Sequence, residues 1–209
     1  DSPLHTEVRM VGEEEDTTAI LTVQGDEPAV IAPLRMFADL DDAAAVMLAG
    51  SRKLARETVE FLRAEKSTVP VIDLTGEFEN DPSARLRAPL LEGPENIADY
   101  TGIQVVINPA AAALALVLSR LSRNRKIARS VAQVFEPVSE RGTDGIEELE
   151  KQTVSLLSLK DMPKKVFDEQ VSFNLVARYG EQAPDKLETV QTRILNQVRQ
   201  LVPKANFSV

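Results

Sequence analysis

The chain has 209 residues, 43% of them hydrophobic, with 33 acidic against 24 basic side chains for a formal net charge of −9, and no cysteine. That is enough chain for one large or two modest cores, while the missing cysteine excludes a disulfide scaffold, zinc–thiolate sites and thiol catalysis. The acidic balance disfavours phosphate backbones and anionic membranes, since binding them relies on Lys and Arg; with no apolar run of about 18 residues and no basic-then-apolar leader, a soluble cytoplasmic protein that binds neither nucleic acid nor membrane is expected.

Glu7 to Val11 and Thr18 to Val23 read as strands, and Ala43 to Leu48 as a more buried one. A helix follows at about Lys53 to Lys66, where Leu54, Val59 and Leu62 share an apolar face. The strand Val69 to Leu74 precedes a loop rich in charge and proline, Glu77 to Asn96, with Arg85 and Arg87 on its solvated side, and then comes the strand Ile103 to Ile107. Strand, helix, strand, loop, strand implies a parallel, doubly wound sheet. Its usual first strand and Gly-x-x-Gly phosphate turn are expected before Asp1, so residues 1–108 read as a dinucleotide-binding domain lacking that start.

Asn108-Pro109-Ala110-Ala111-Ala112-Ala113 turns the strand into a helix running to about Leu121, with Asn108 a good N-cap and Pro109 a good first helical residue. A thiol on that first turn would face unpaired N–H groups and the positive helix end, which favour thiolate. Methyl groups there attack nothing, and read alone the stretch is a capped, alanine-rich core helix. Farther on, Ile127 to Phe135 reads as a strand with Val131 and Val134 among its apolar residues. A helix from about Gly145 to Leu159 places Ile146, Leu149, Thr153, Leu156 and Leu157 toward one side. Val171, Phe173 and Leu175 alternate with Ser172 and Asn174 as in a half-buried strand, and Leu187 to Leu201 closes the chain as a helix. Residues 109–209 thus read as α+β.

Several segments, in order, resemble aspartate-semialdehyde dehydrogenase, whose relatives carry Asn-Pro-Asn-Cys at this elbow; the match is to its cysteine-less, Usg-type paralogues. Val46-Met47-Leu48-Ala49-Gly50-Ser51 is similar to the strand and glycine turn under the family's dinucleotide, and Val71-Ile72-Asp73 to its Val-Ile-Asp strand. Phe78-Glu79-Asn80-Asp81-Pro82 resembles Phe-Arg-Met-Asp-Pro. Val138-Ser139 with Gly142-Thr143-Asp144-Gly145-Ile146-Glu147-Glu148-Leu149 resembles the Val-Ser-Gly-Ala-Gly loop and Gly-Ile-Glu-Glu-Leu helix, and Gln170-Val171-Ser172-Phe173-Asn174 resembles Gln-Ile-Ala-Phe-Asn. The resemblance implies an α/β, glyceraldehyde-phosphate-dehydrogenase-like architecture: an incomplete Rossmann-like domain, then an α+β dimerisation and substrate domain.

It also implies where the family's chemistry would stand. Ala111 occupies the cysteine position, Glu136 that of an orienting glutamine, Glu79 that of an anion-binding arginine, Arg193 that of a lysine and Gln197 that of a glutamate. Ser119 lies roughly two turns down the helix at about 3.6 residues per turn and is no substitute nucleophile, and His5, the only histidine, lies far from these motifs. For the cofactor, Gly12, Glu13, Gly50 and Ser51 are the candidate contacts. NAD or NADP is implied, with NAD favoured because the acidic run Glu13-Glu14-Glu15 suits a ribose hydroxyl where NADP-preferring relatives place Ser and Arg; the same run also reads as an exposed turn. The expectation is a homologue that has lost catalysis and acts as a homodimeric scaffold, regulator or dinucleotide sensor, with a possible protein partner. The alternative is an oxidoreductase of altered, cysteine-independent chemistry. No metal site is expected.

Overall fold

Two compact units, residues 1–107 and 108–209, make up the chain. The computed structural model describes residues 7–13, 20–22, 28–34, 40, 42–92, 102–124 and 126–203.

In the first unit, β1 (Met10–Gly12), β2 (Ile20–Thr22) and β3 (Pro28–Pro33) form a sheet of order β1-β3-β2, with β1 parallel and β2 antiparallel to β3. Next come β4 (Val46–Leu48), α1 (Arg52–Ala64), β5 (Val71–Asp73), β6 (Ala84–Arg87) and β7 (Ile103–Val106). The four strands form a sheet of order β4-β5-β7-β6, parallel throughout. Ser51 caps α1 by accepting a hydrogen bond from Leu54 N at 3.1 Å, and the helix buries Ala55, Thr58, Val59 and Leu62. Their spacing puts them on one face, packed with Val46, Leu48, Val71 and Ile103 in the core. Leu54, expected on that face, is only half-buried.

The strands are shorter than the sequence pattern suggests, and Thr18, Ala19 and Val23 of the second lie outside the described residues. One strand was not expected. β6 falls within the segment read as a loop, where it lies parallel to β7. Its pattern is masked by arginine: Arg87 is buried, because Glu92 takes its guanidinium at 2.9 Å and Gln104 Oε1 accepts from Nη1 at 2.8 Å. Arg87 is therefore not on a solvated loop.

The second unit contains α2 (Pro109–Ser122), a single 3-10 turn (Val138–Arg141), α3 (Gly142–Leu157) and α4 (Leu187–Leu201). Ala111, Ala115 and Leu118 form the buried face of α2, which packs on α4, whose buried residues are Ile194, Gln197 and Val198.

Three expectations fail here. Residues 127–135 form no strand beyond an isolated bridge at Val131, and Val131 and Phe135 are exposed; apolar residues alone make no strand without a partner for its backbone groups. The buried face of α3 is Gly145, Glu148 and Gln152, whereas Ile146 and Leu157 are exposed. Residues 171–175 form a turn in which Phe173 has φ 55° and is 78% exposed. Gln152 Oε1 captures the amides of Val171 (2.9 Å) and Ser172 (3.2 Å), so both side chains lie buried and the alternation is broken. The class is α/β with parallel strands, but among the described residues the second unit contributes helices and extended connections, with no sheet.

Candidate functional site

The first candidate cluster stands where β1 ends. Glu13 leaves the sheet after Gly12, and its Oε1 accepts a short hydrogen bond from the Ser51 hydroxyl, while Lys53 Nζ lies 3.4 Å from Oε2. The same Ser51 oxygen caps α1, so one hydroxyl joins the helix start to the β1 turn. The Ser51 hydrogen bond, followed by that of Lys53, holds the Glu13 carboxyl below its ordinary range and keeps it ionised. Gly50 is a close approach: a Cβ there would lie 3.2 Å from Leu54 Cδ2. Glu13 and Ser51 are thus in contact, with Gly12 and Gly50 next to them in the chain. Glu14 and Glu15 lie outside the described residues. Glu79 is half-buried in the turn after β5. That turn is organised by Asp73, whose fully buried carboxylate accepts hydrogen bonds from Thr75, Gly76 and Phe78 amides at 2.8, 3.1 and 3.0 Å.

The elbow opens the second unit. Asn108 Oδ1 accepts from Ala110 N at 2.9 Å and Ala111 N at 3.3 Å, so the amides that would polarise a first-turn thiol already have an acceptor. Ala111 is 0% exposed. Its methyl neither reacts nor reaches solvent. Gln197, from α4, is buried and accepts from Asn108 N at 2.8 Å, which ties the elbow to the last helix. The glutamate equivalent inferred from resemblance is therefore a clamp on the elbow backbone. Arg193 lies one turn earlier and is half-buried.

Glu136 is the chemically unusual member. Burial pushes its carboxyl above the ordinary range, against the opposing pull of Arg141 and, more weakly, Arg193. Arg141 Nη2 stands 3.6 Å from Oε2, and its guanidinium lies over the Tyr179 ring, 5.4 Å from the centroid. Sequence reading missed Arg141 and Tyr179. The only signal was Arg141 placed just before Gly142, whose φ of 64° allows the 3-10 turn to run into α3. Glu136 also lines a cavity of about 460 Å³ within this unit, of which Ala111 forms no part. Among the described residues no group of three or more His, Cys, Asp or Glu is placed to hold a metal ion, and no helix is long and apolar enough to cross a membrane.

No protein-family model matches the chain. It is 27% identical over 166 residues to a USG-1 protein homolog of Pseudomonas aeruginosa, covering 78% of this chain and 48% of that one. To the aspartate-semialdehyde dehydrogenase of Aquifex aeolicus it is 27% identical over 147 residues, covering 69% and 43%, and to that of Vibrio mimicus 31% identical over 122 residues, covering 57% and 38%. The chain spans about half the length or less of these relatives. Among solved structures, aspartate semialdehyde dehydrogenase II from Vibrio cholerae superposes with a TM-score of 0.77 at 19% identity, over 97% of this chain and 60% of that one. That likeness is one of fold.

Proposed function

The chain is a relative of the aspartate-semialdehyde dehydrogenases and USG-1 proteins, and from that premise we propose that it keeps their fold without their reaction, serving as a self-associating scaffold that senses a dinucleotide. The observation that carries this reading is the complete burial of Ala111, a methyl group with no solvent access at the position that the resemblance gives to the nucleophile. Two further changes support it. Glu79 replaces a cation that would draw in an anionic group, and Glu136 replaces a neutral amide with a poorly solvated carboxyl. Turnover of the semialdehyde is the deciding assay.

The residues around Glu13 fit one end of a nicotinamide dinucleotide. An ionised carboxylate held by Ser51 and Lys53 can accept a ribose hydroxyl, whereas a 2′-phosphate would meet its negative charge. NAD is therefore expected to raise the melting temperature more than NADP, and Glu13→Ala to erase the difference; equal or larger stabilisation by NADP in the parent chain would refute this preference. Self-association, carried over from the resemblance to a dimerisation domain, is read by sedimentation velocity. A single monomeric species at micromolar concentration would remove the scaffold part of the proposal.

A further inference from the structure

The cavity of the second unit lies within the size range of small-molecule sites. Its wall is largely apolar, with Val134, Val138, Phe167, Val171 and Ile194 supplying methyl and ring surface. Among the residues that line it, only Glu136 and Glu188 are charged, and both are negative. The charges on the lining itself favour a cation over a carboxylate or phosphate, with the Arg141 guanidinium, 3.6 Å from Glu136, the nearest opposing charge.

Glu136 gives that charge a specific address. Its side chain is 12% exposed, and Oε2 is buried without a hydrogen-bond partner. The guanidinium nitrogen of Arg141 at 3.6 Å stands beyond hydrogen-bond reach. That nitrogen, and Nε of the same guanidinium, are themselves buried without hydrogen-bond partners, with the Tyr179 ring centroid 5.4 Å and Asp185 3.9 Å away. A buried carboxylate that lacks donors is costly, and such groups are ordinarily satisfied by protein, water or ligand. Here one oxygen of the carboxylate, Oε2, has no hydrogen-bond donor, and the residue lines an apolar space able to hold a small molecule.

We propose that this cavity binds a small molecule consisting of a protonated primary amine on an apolar or aromatic body, the ammonium donating to Glu136 and the body lying against Val134, Phe167 and Ile194. Three donors on an ammonium match a carboxylate short of them, and the apolar wall accounts for the rest of the molecule. The site lies wholly within the second unit and requires neither a dinucleotide nor turnover, so it stands or falls apart from the function proposed above.

The test is titration of the protein, isotope-labelled for amide NMR at pH 7, with 2-phenylethylamine and with its neutral counterpart 2-phenylethanol. The amine should shift the amides of Val134, Phe167 and Ile194 and bind at least about tenfold more tightly than the alcohol, equivalent to about 1.4 kcal/mol. Glu136→Gln should bring the amine down to the affinity of the alcohol. Comparison of the two ligands on the parent chain needs no variant, so a folding defect in Glu136→Gln cannot shelter the proposal. Equal affinities, shifts confined to other residues, no binding, or an unchanged amine affinity in a folded Glu136→Gln would each overturn it.

Discussion

Asn108 and Gln197 hold the elbow by two different means, and their losses should differ. Asn108→Ala removes the acceptor for two first-turn amides, an N-cap loss of about 1 kcal/mol. Gln197→Leu leaves the Asn108 N–H buried with no acceptor, at a cost of about 1–3 kcal/mol. Urea unfolding followed by circular dichroism reads both, and a loss under about 0.5 kcal/mol in Gln197→Leu, the size typical of an ordinary surface change, would show that the clamp contributes nothing. The cap was legible in the sequence because Asn followed by Pro is a local signal. The clamp was not, since its partners are separated by 89 positions and nothing in a lone glutamine announces a backbone amide waiting elsewhere.

At the scale of elements, α3 acts as a polar clasp. Glu148 accepts from the amides of Lys165, Val166 and Phe167 at 2.6, 2.8 and 3.2 Å. Gln152 donates to the carbonyls of Pro163 and Glu169, both at 2.9 Å, and accepts from Val171 and Ser172. One helix face thereby shapes the loop that supplies Phe167 and Val171 to the cavity wall. Gly145 lies beneath it because a Cβ there would run into the Val138 carbonyl. Glu148→Ala strands three amides at once and should destabilise the chain by about 3 kcal/mol or more. Glu148→Gln, which keeps one acceptor oxygen, should fall between that variant and the parent. Hydrogen exchange at Lys165 to Phe167 reports the effect locally, and unchanged protection in Glu148→Ala would contradict the clasp. Hydrophobic periodicity pointed to the other side of this helix because its buried face is made of Gly, Glu and Gln, whose burial depends on amides far along the chain. The same blindness hid β6, a strand that buries an arginine. By contrast α1 was legible from its apolar spacing and α2 from its cap, since both signals are local.

At the scale of the whole molecule, the parallel sheet of the first unit followed from the alternation of strand and helix, whereas in the second unit apolar residues near 131 and alternating ones near 173 suggested strands that the described residues do not form. The proposed site follows the same division. Ala111 could be read from one substitution in a motif, but its complete burial, the capture of its amide by Asn108 and the ion pair beside Glu136 belong to the folded chain. The central claim is that these residues cannot carry an aldehyde through covalent oxidation. The most direct measurement is the phosphate-dependent reduction of NAD and NADP by aspartate semialdehyde, using the protein at its natural length as isolated from its host. The account predicts a rate indistinguishable from that without protein. Sustained reduction of either nucleotide, proportional to protein concentration, would contradict it.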